Sequence, residues 1–500
     1  MRAGIVLVGA SAEVAACLEE HLGRWRDAQL VVVETPEEAR AVARRYQWSA
    51  VVVAGLGCEV DGEASGFAEI AHPLAIEFLS LDPQDLPQAA LCLGVKAAKL
   101  TRSSIVHMAR RETAKPAPAL TRRGLFTSAT APAKEVPSPR PVAVGTKCRA
   151  QQGCRKCIEA CSFGLIAVND RLPETSDGCR LCGSCVAVCP TGALQSPVFS
   201  DDQWAGILDG LAAGASEART LLLTCEKAEI ATVPSGTVVE RLPCIGALGV
   251  THLTEAAAFG PERVIAWCPS PADCENVPSA RRMQGDFATV MENLRTGGER
   301  LSYVEGADGW VEALGQDASV AAGNGGRLSG QRRGDFISAL RHAGKDKVKP
   351  AQGAQLFAVA IDGACTLCGA CAVACVDGAL RLSEPGDRLT LNFQQALCVG
   401  CGACARKCPE KVLELIDADD ISDIIADRIV ARASSPIARC RGCDVVLGPA
   451  AMIERLAAVL KSDANAIDAL AYCPSCKMAR MYTGAPSGIT PPERADSTAS

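Results

Sequence analysis

Histidine is scarce, with five in 500 residues, and aromatic side chains make up only 4%. Too few imidazoles are present to serve as general metal ligands, and too few rings to build the cores, which must rely on small aliphatic side chains. A basic surplus is also missing. Lys and Arg total 51 against 57 Asp and Glu, a net charge of -6, which argues against phosphate neutralisation and hence against nucleic acid. No run approaches 18 apolar residues, so no membrane insertion is expected. The short apolar run Ile5 to Val8 is followed by Glu13 and lacks a signal-peptide layout. Arg122-Arg123-Gly124-Leu125-Phe126 lies deep in the chain with no apolar stretch after it, so twin-arginine export is not expected either. A cytoplasmic location is the expectation.

Cysteine is what the chain has in excess: 27 residues, an odd number, clustered at two-residue gaps. That pattern does not suit a disulfide framework. Thiolate metal sites suit it, and soft thiolates select iron–sulfur clusters or zinc. With 48% apolar and 22% charged residues the chain should fold, and its length allows several domains.

Residues 4–10, 28–34 and 49–56 read as short buried strands, with helical patterns at 12–23 and 36–46 between them. This predicts a small parallel α/β domain over 1–112. Gly9-Ala10-Ser11 lacks dinucleotide-fingerprint spacing and reads as a turn. A Pro-rich linker follows at 113–147, and a cysteine block lies within 148–202. Strands near 219–224, 237–242 and 263–267 predict a second parallel α/β unit over 203–304. Residues 305–355 read as another linker, 356–418 as a second cysteine block, 419–483 as a CxxC…CxxC knuckle around a helix at 449–461, and 484–500 as a polar tail. The fold class expected is α/β and α+β multidomain.

In the second block, Cys365, Cys368, Cys371 and Cys375 have gaps of two, two and three, and Cys398, Cys401, Cys404 and Cys408-Pro409 repeat them. Three cysteines at such gaps wrap one cubane, while the fourth points away to the neighbouring one. One 4Fe-4S cluster should therefore take Cys365, Cys368, Cys371 and Cys408, and the other Cys398, Cys401, Cys404 and Cys375. Gly369, Gly400 and Gly402 allow close backbone approach and N–H donation to the sulfides. Zinc would need two CxxC pairs instead of four-cysteine runs. The block resembles bacterial two-cluster ferredoxins, apart from Val376 where that family usually has Pro.

The first block repeats the plan with a longer first gap: Cys148, Cys154, Cys157 and Cys161, then Cys179, Cys182, Cys185 and Cys189-Pro190. Crossing predicts 4Fe-4S clusters on Cys148, Cys154, Cys157 and Cys189, and on Cys179, Cys182, Cys185 and Cys161. Zinc or vacancy is the alternative.

Between the blocks, Cys225, Cys244, Cys268 and Cys274 each follow a predicted strand, so their thiols can meet at the carboxyl edge of a parallel sheet. Four thiolates suit a 2Fe-2S centre; buried structural thiols are the alternative. The set resembles the delta iron–sulfur subunit of methyl-viologen-reducing hydrogenase, in its lone Cys after a strand, its Pro-Cys-x-Gly, its Cys-x5-Cys and the basic Arg281-Arg282. Lys227 and Ala228 stand where that family has a further cysteine. The resemblance implies electron transfer to a heterodisulfide-reductase-like flavoprotein.

Cys440, Cys443, Cys473 and Cys476 form two CxxC pairs with tetrahedral S4 spacing, for which zinc is the first expectation and rubredoxin-like iron the second. The order CTLCGAC…CVGCGAC…CRGCD…CPSCK resembles ferredoxin-like companions of formate dehydrogenase. Cys17 reads as core, and Cys58 and Cys92 are too few for a cubane. His107 and His252 are isolated, and no catalytic constellation is evident.

The sequence therefore predicts an electron-transfer subunit more than a catalyst. It should hold four 4Fe-4S clusters, a 2Fe-2S cluster and zinc, with formate dehydrogenase, hydrogenase or a heterodisulfide-reductase-like flavoprotein as redox partner. The alternatives are a subunit of a heterodisulfide-reductase-like oxidoreductase complex, and a non-redox metal scaffold or sensor.

Overall fold

The computed structural model describes most of residues 3–102, and 140–315, 328–348 and 355–483 apart from short breaks. The chain divides into two compact units, the first Met1–Gln151 with Arg155–Gln355, the second Gln152–Cys154 with Leu356–Ser500. Among the described residues no helix is long and apolar enough to cross a membrane. Much of the Pro-rich linker, the tail, Cys58, His107 and most of the helix expected at 36–46 lie outside the described residues.

In the first unit, β1 (Ala3–Val8), α1 (Ala12–Leu22), β2 (Ala28–Val33), β3 (Ala50–Leu56) and β4 (Ala75–Leu81) form a parallel sheet in the order β2-β1-β3-β4. Runs such as Ile5-Val6-Leu7-Val8, all buried, suit a central strand packed from both sides, while Val32 of the edge strand β2 is exposed. Helix α2 (Leu86–Thr101) starts at Asp85, whose side chain accepts from the Gln88 N–H at 3.1 Å.

The first cysteine block follows, with β5 (Val142–Ala143), α3 (Lys156–Glu159), β6 (Ile166–Asn169), β7 (Leu172–Thr175), α4 (Ser184–Ala187) and β8 (Leu194–Gln195). Short antiparallel ladders β5–β8 and β6–β7 frame its loops. Next comes α5 (Asp201–Ala213), held by a reciprocal cap: Gln203 N–H donates to Ser200 Oγ, and Ser200 N–H to Gln203 Oε1.

The second α/β unit contains β9 (Thr220–Cys225), β10 (Thr237–Leu242), α6 (Val250–Phe259), β11 (Arg263–Cys268), α7 (Val277–Asn293) and β12 (Leu301–Glu305). Its parallel sheet runs β10-β9-β11-β12, so β12 adds a strand at the edge of the expected linker. That stretch also holds α8 (Gly309–Leu314) and α9 (Arg332–Ala343). Helix α9 forms because Phe336, Ile337, Leu340 and Ala343 recur on one face, and all four are buried.

The two α/β regions are not separate bodies. Helix α2 packs against α5, where glycine makes close approach possible: a side-chain carbon on Gly210 would stand 2.9 Å from Val95 Cα. Lys96 and Lys99 of α2 both pair with Glu240 of β10, and all three are buried. Gln88 donates to the Thr237 carbonyl at 2.6 Å and accepts from Gly236 N–H at 2.7 Å.

In the second unit, β13 (Phe357–Ile361) pairs antiparallel with β16 (Leu413–Asp417), and α10 (Ala370–Ala374) and α11 (Ala403–Lys407) lie between them in sequence. Strands β14 (Leu380–Ser383), β15 (Arg388–Phe393), β17 (Val430–Arg439) and β18 (Val446–Pro449) make a second antiparallel sheet, with α12 (Ser422–Ile425) leading into β17. Strand β17 is common to the cysteine block and the knuckle, so these too are one body. The chain ends its described part in α13 (Ala450–Leu460), α14 (Ala464–Ala469) and α15 (Pro474–Thr483).

Candidate metal centres

The backbone of the cysteine loops is coiled in the same way in three of the four runs. A glycine in the left-handed region follows the second cysteine each time: Gly183 at φ 74°, Gly369 at 79° and Gly402 at 71°. Each caps a very short helix carrying the third cysteine, so the loop curls around a hollow and the helix N–H groups face inward. Leu181 and Leu367 are also left-handed, at 53° and 55°, an unfavourable state for a branched side chain that these tight loops impose. In the run from Cys148 the equivalent residue is Arg155 at φ -130°, so this loop is built differently.

Three small hollows result. One is lined by Cys365, Cys368, Cys371 and Cys408, with Leu367 and Leu391. A second is lined by Cys375, Cys398, Cys401 and Cys404, with Phe393 and Leu380. The third lies in the first unit among Cys161, Cys179, Cys182 and Cys185. In each, the fourth cysteine of one run joins three from the other. Gly400 is required here, since a side chain on it would enter the Phe357 ring.

The electrostatics follow the same grouping. Burial pushes the Cys365 thiol up, and Cys368 and Cys408 push it further. Cys404 rises to about 11 through burial, then Cys401 and Cys375. Cys185 rises well above the ordinary thiol value through burial, then Cys182 and Cys179. Proton loss in such crowded, apolar hollows needs a compensating cation, and four sulfurs suit an iron–sulfur group better than a hard metal.

For the remaining set, Cys148 and Cys189 are neighbours: burial raises the Cys148 thiol and Cys189 adds to the shift. Cys157 packs against the same core, and Cys154 is half-buried. Cys189 Sγ accepts from Leu194 N–H at 3.4 Å, and Cys161 Sγ accepts from Leu165 N–H at the same distance.

In the α/β domain, Cys225 and Cys268 are the last residues of β9 and β11, and Cys244 opens a single 3-10 turn, Ile245–Ala247. Cys274 lies just before α7. Burial raises Cys244 to about 12, with Cys182, Cys274 and Cys225 adding to it, and Cys268 to about 11, with Cys225 and Cys274 adding to it. The four thiols thus lie within electrostatic reach of one another near the carboxyl edge of the sheet, and Cys182 of the first module within reach of Cys244. Arg282 ties this contact together. It donates to the carbonyls of Gly246 at 2.6 Å and Leu248 at 2.7 Å, pairs with Asp286, and reaches Ser184 Oγ at 3.4 Å.

In the knuckle, the sulfurs of Cys440, Cys443, Cys473 and Cys476 all lie within 4.8 Å of one another, and Cys443 and Cys473 are 3.6 Å apart. Zinc–sulfur bonds of about 2.3 Å in a tetrahedron put sulfurs about 3.8 Å apart, so the set fits zinc. Burial works to raise Cys440, but N–H groups of Cys473, Gly442 and Cys443 outweigh it and bring the thiol down to about 6.

The leftover residues take no part in these sets. Cys17 is half-buried on α1, and burial lifts Cys92 on α2 to about 11, Lys96 opposing the rise. His252 is buried; burial and then Arg332 hold it down to about 3, and its Nδ1 accepts from Gly249 N–H at 3.3 Å. A buried polar group around it is not foreseen from the sequence. Arg332 of α9 donates to the Cys189 carbonyl at 3.0 Å and also to that of Val186, and is paired with Asp201. The apolar period of α9 is the one available signal, hidden among glycine, glutamine and basic residues.

Two stretches of the chain match known iron–sulfur domains. Residues 364–412 match the 4Fe-4S dicluster domain, and residues 175–195 match the 4Fe-4S binding domain. A stretch of 44 residues, 9% of the chain, is 43% identical to a subunit of the ion-translocating oxidoreductase complex of Methanosarcina acetivorans. It spans 17% of that relative's length. The chain thus carries two ferredoxin-type 4Fe-4S domains in a mixed α/β framework, which supports an iron–sulfur electron-transfer protein.

Proposed function

We propose that the chain is a polyferredoxin-like relay that passes single electrons between a redox enzyme and another carrier. The observation that carries this reading is the recurring exchange of the fourth cysteine between paired runs, at three small hollows. The ligand sets proposed are the four crossed ones for 4Fe-4S clusters, Cys225, Cys244, Cys268 and Cys274 for a 2Fe-2S cluster, and Cys440, Cys443, Cys473 and Cys476 for zinc. The clusters, when bound, supply one-electron redox chemistry. The chain's own part is to hold the thiolates, exclude water with aliphatic walls and donate N–H groups to sulfur.

The position of Cys182 beside Cys244 favours a direct step between the first ferredoxin module and the α/β domain. In the second module, exposed Cys368 and Val373, the latter 87% exposed, offer a face for a partner. Formate dehydrogenase, hydrogenase or a heterodisulfide-reductase-like flavoprotein are the proposed partners. A reducing compartment such as the cytoplasm suits a chain rich in thiol ligands. The convergent middle set also favours a second reading, an iron–sulfur subunit of a heterodisulfide-reductase-like complex, which bound flavin in a purified assembly would mark.

Elemental analysis after anaerobic purification tests the reading. We expect about 16 to 18 Fe and about one Zn per chain, with reversible low-potential EPR signals. Redox-silent zinc throughout would favour a scaffold and overturn it.

A further inference from the structure

Helix α9 places a buried guanidinium on the turn that carries Cys189. Arg332 is 2% exposed. Its Nη1 donates to the carbonyls of Val186 and Cys189, the latter at 3.0 Å. Its Nε lies 2.9 and 3.1 Å from the two carboxylate oxygens of Asp201, and its Nη2 also bonds that carboxylate. Asp201 is fixed in turn: it accepts from Gln195 Nε2 at 2.6 Å, while its own N–H donates to Gln195 Oε1 at 2.9 Å. Gln195 Nε2 also donates to the Gly192 carbonyl at 2.7 Å, on the same turn as Cys189. The result is a buried pair on one turn, with the guanidinium against the Cys189 carbonyl and the carboxylate beside Gly192.

A salt bridge this deeply buried is not explained by stability alone, because desolvation offsets much of its attraction. Its position has an electrostatic consequence. Low surrounding polarity lets a fixed charge act strongly on any neighbouring centre whose charge changes, and the potential of an iron–sulfur cluster responds to nearby charge and hydrogen bonds.

We propose that Arg332 and Asp201 are positioning residues that set the reduction potential of the centre held by Cys148, Cys154, Cys157 and Cys189, with Arg332 raising it and Asp201 lowering it. The inference rests on that ligand set. Loss of Arg332 leaves the Asp201 carboxylate without its cation, still held by Gln195 beside the turn, which disfavours an added electron. Loss of the Asp201 charge leaves the guanidinium without that carboxylate, with Glu255 the further acid within its reach, and favours an added electron.

The test is EPR-monitored redox titration of the anaerobically reconstituted full chain. The signal altered by Cys148→Ser identifies the centre. Arg332→Met should move its midpoint more negative and Asp201→Asn less negative. Each should change the reduction equilibrium by at least tenfold, about 59 mV for one electron. Arg332→Lys keeps the charge and should restore most of the potential if Arg332→Met folds poorly. Signals dependent on Cys371 and Cys404 serve as controls and should stay in place. Shifts of the same sign in both variants, or none, would overturn the proposal while leaving the ligand set standing. Absence of any Cys148-dependent signal in the unsubstituted protein would overturn the ligand set, and the proposal with it.

Discussion

Gly183 and Ala247 are in close contact: a carbon added to Gly183 would stand 2.5 Å from Ala247 Cβ and 2.6 Å from its Cα. Gly183 follows Cys182 in the first ferredoxin module, and Ala247 closes the turn that begins at Cys244. The contact presses two cysteine loops of different domains together. Similar closeness recurs next door, where a carbon on Gly246 would lie 3.1 Å from the Cys182 carbonyl.

The first prediction concerns that seam. Gly183→Ala should cost about 1–3 kcal/mol through overpacking, and a further ~1–2 kcal/mol because its φ of 74° is left-handed. Amide hydrogen exchange should quicken at 184–187 and 245–250 while 398–408 stays protected. Unchanged exchange in both segments would show that the seam tolerates a side chain.

A second prediction addresses the α2 anchor. Glu240 is the shared partner of Lys96 and Lys99, and none of the three side chains is more than 6% exposed. Replacing it with glutamine leaves two buried ammonium groups without that carboxylate, which should cost about 3–5 kcal/mol. A lowered melting temperature, with earlier proteolysis in the 86–102 segment than in the second unit, is the expected result. A melting curve identical to the parent's would mean the two lysines find compensation elsewhere.

Crossed ligation yields the third. Cys408 lines the same hollow as Cys365, Cys368 and Cys371. Cys408→Ala should therefore lose or convert one cubane, up to about four Fe, while the centre dependent on Cys398, Cys401 and Cys404 survives. Mössbauer spectra of labelled protein would distinguish the two. Loss of only the Cys398 centre means the runs bind their clusters without exchange.

The fourth is a separation of roles. Zinc has no accessible second oxidation state, so the knuckle should contribute folding free energy and no electrons. Changing Cys440 and Cys443 to Ser should release about one Zn per chain and loosen α13 and α15, with every low-potential EPR signal retained. If a reducible iron signal disappears instead, the knuckle is a redox centre.

Several features were legible because they are local. Gaps of two and three residues specify how tightly a loop can curl, so the cysteines could be grouped before any fold was known. The apolar runs at 3–8, 28–33, 50–56, 220–225 and 263–268 appear as parallel strands, because such runs favour extended backbone and the central ones are buried on both faces. Residues 305–355 misled for the same reason. Their composition is that of a linker, yet 332–343 is helical since Phe336, Ile337 and Leu340 have a core to enter.

By itself, then, the sequence determined the thiolate chemistry, the grouping of cysteines into runs and the strand–helix alternation, all set by spacing along a few residues. Only the tertiary structure decided that α2 is common to both parallel sheets, that β17 joins the knuckle to the second module, that Cys182 adjoins Cys244, and that Arg332 reaches the Cys189 turn. Arg332 and Cys189 are 143 residues apart in sequence. No local propensity encodes such a pairing. It arises when packing removes water from both partners, so that each buried polar group must find the other.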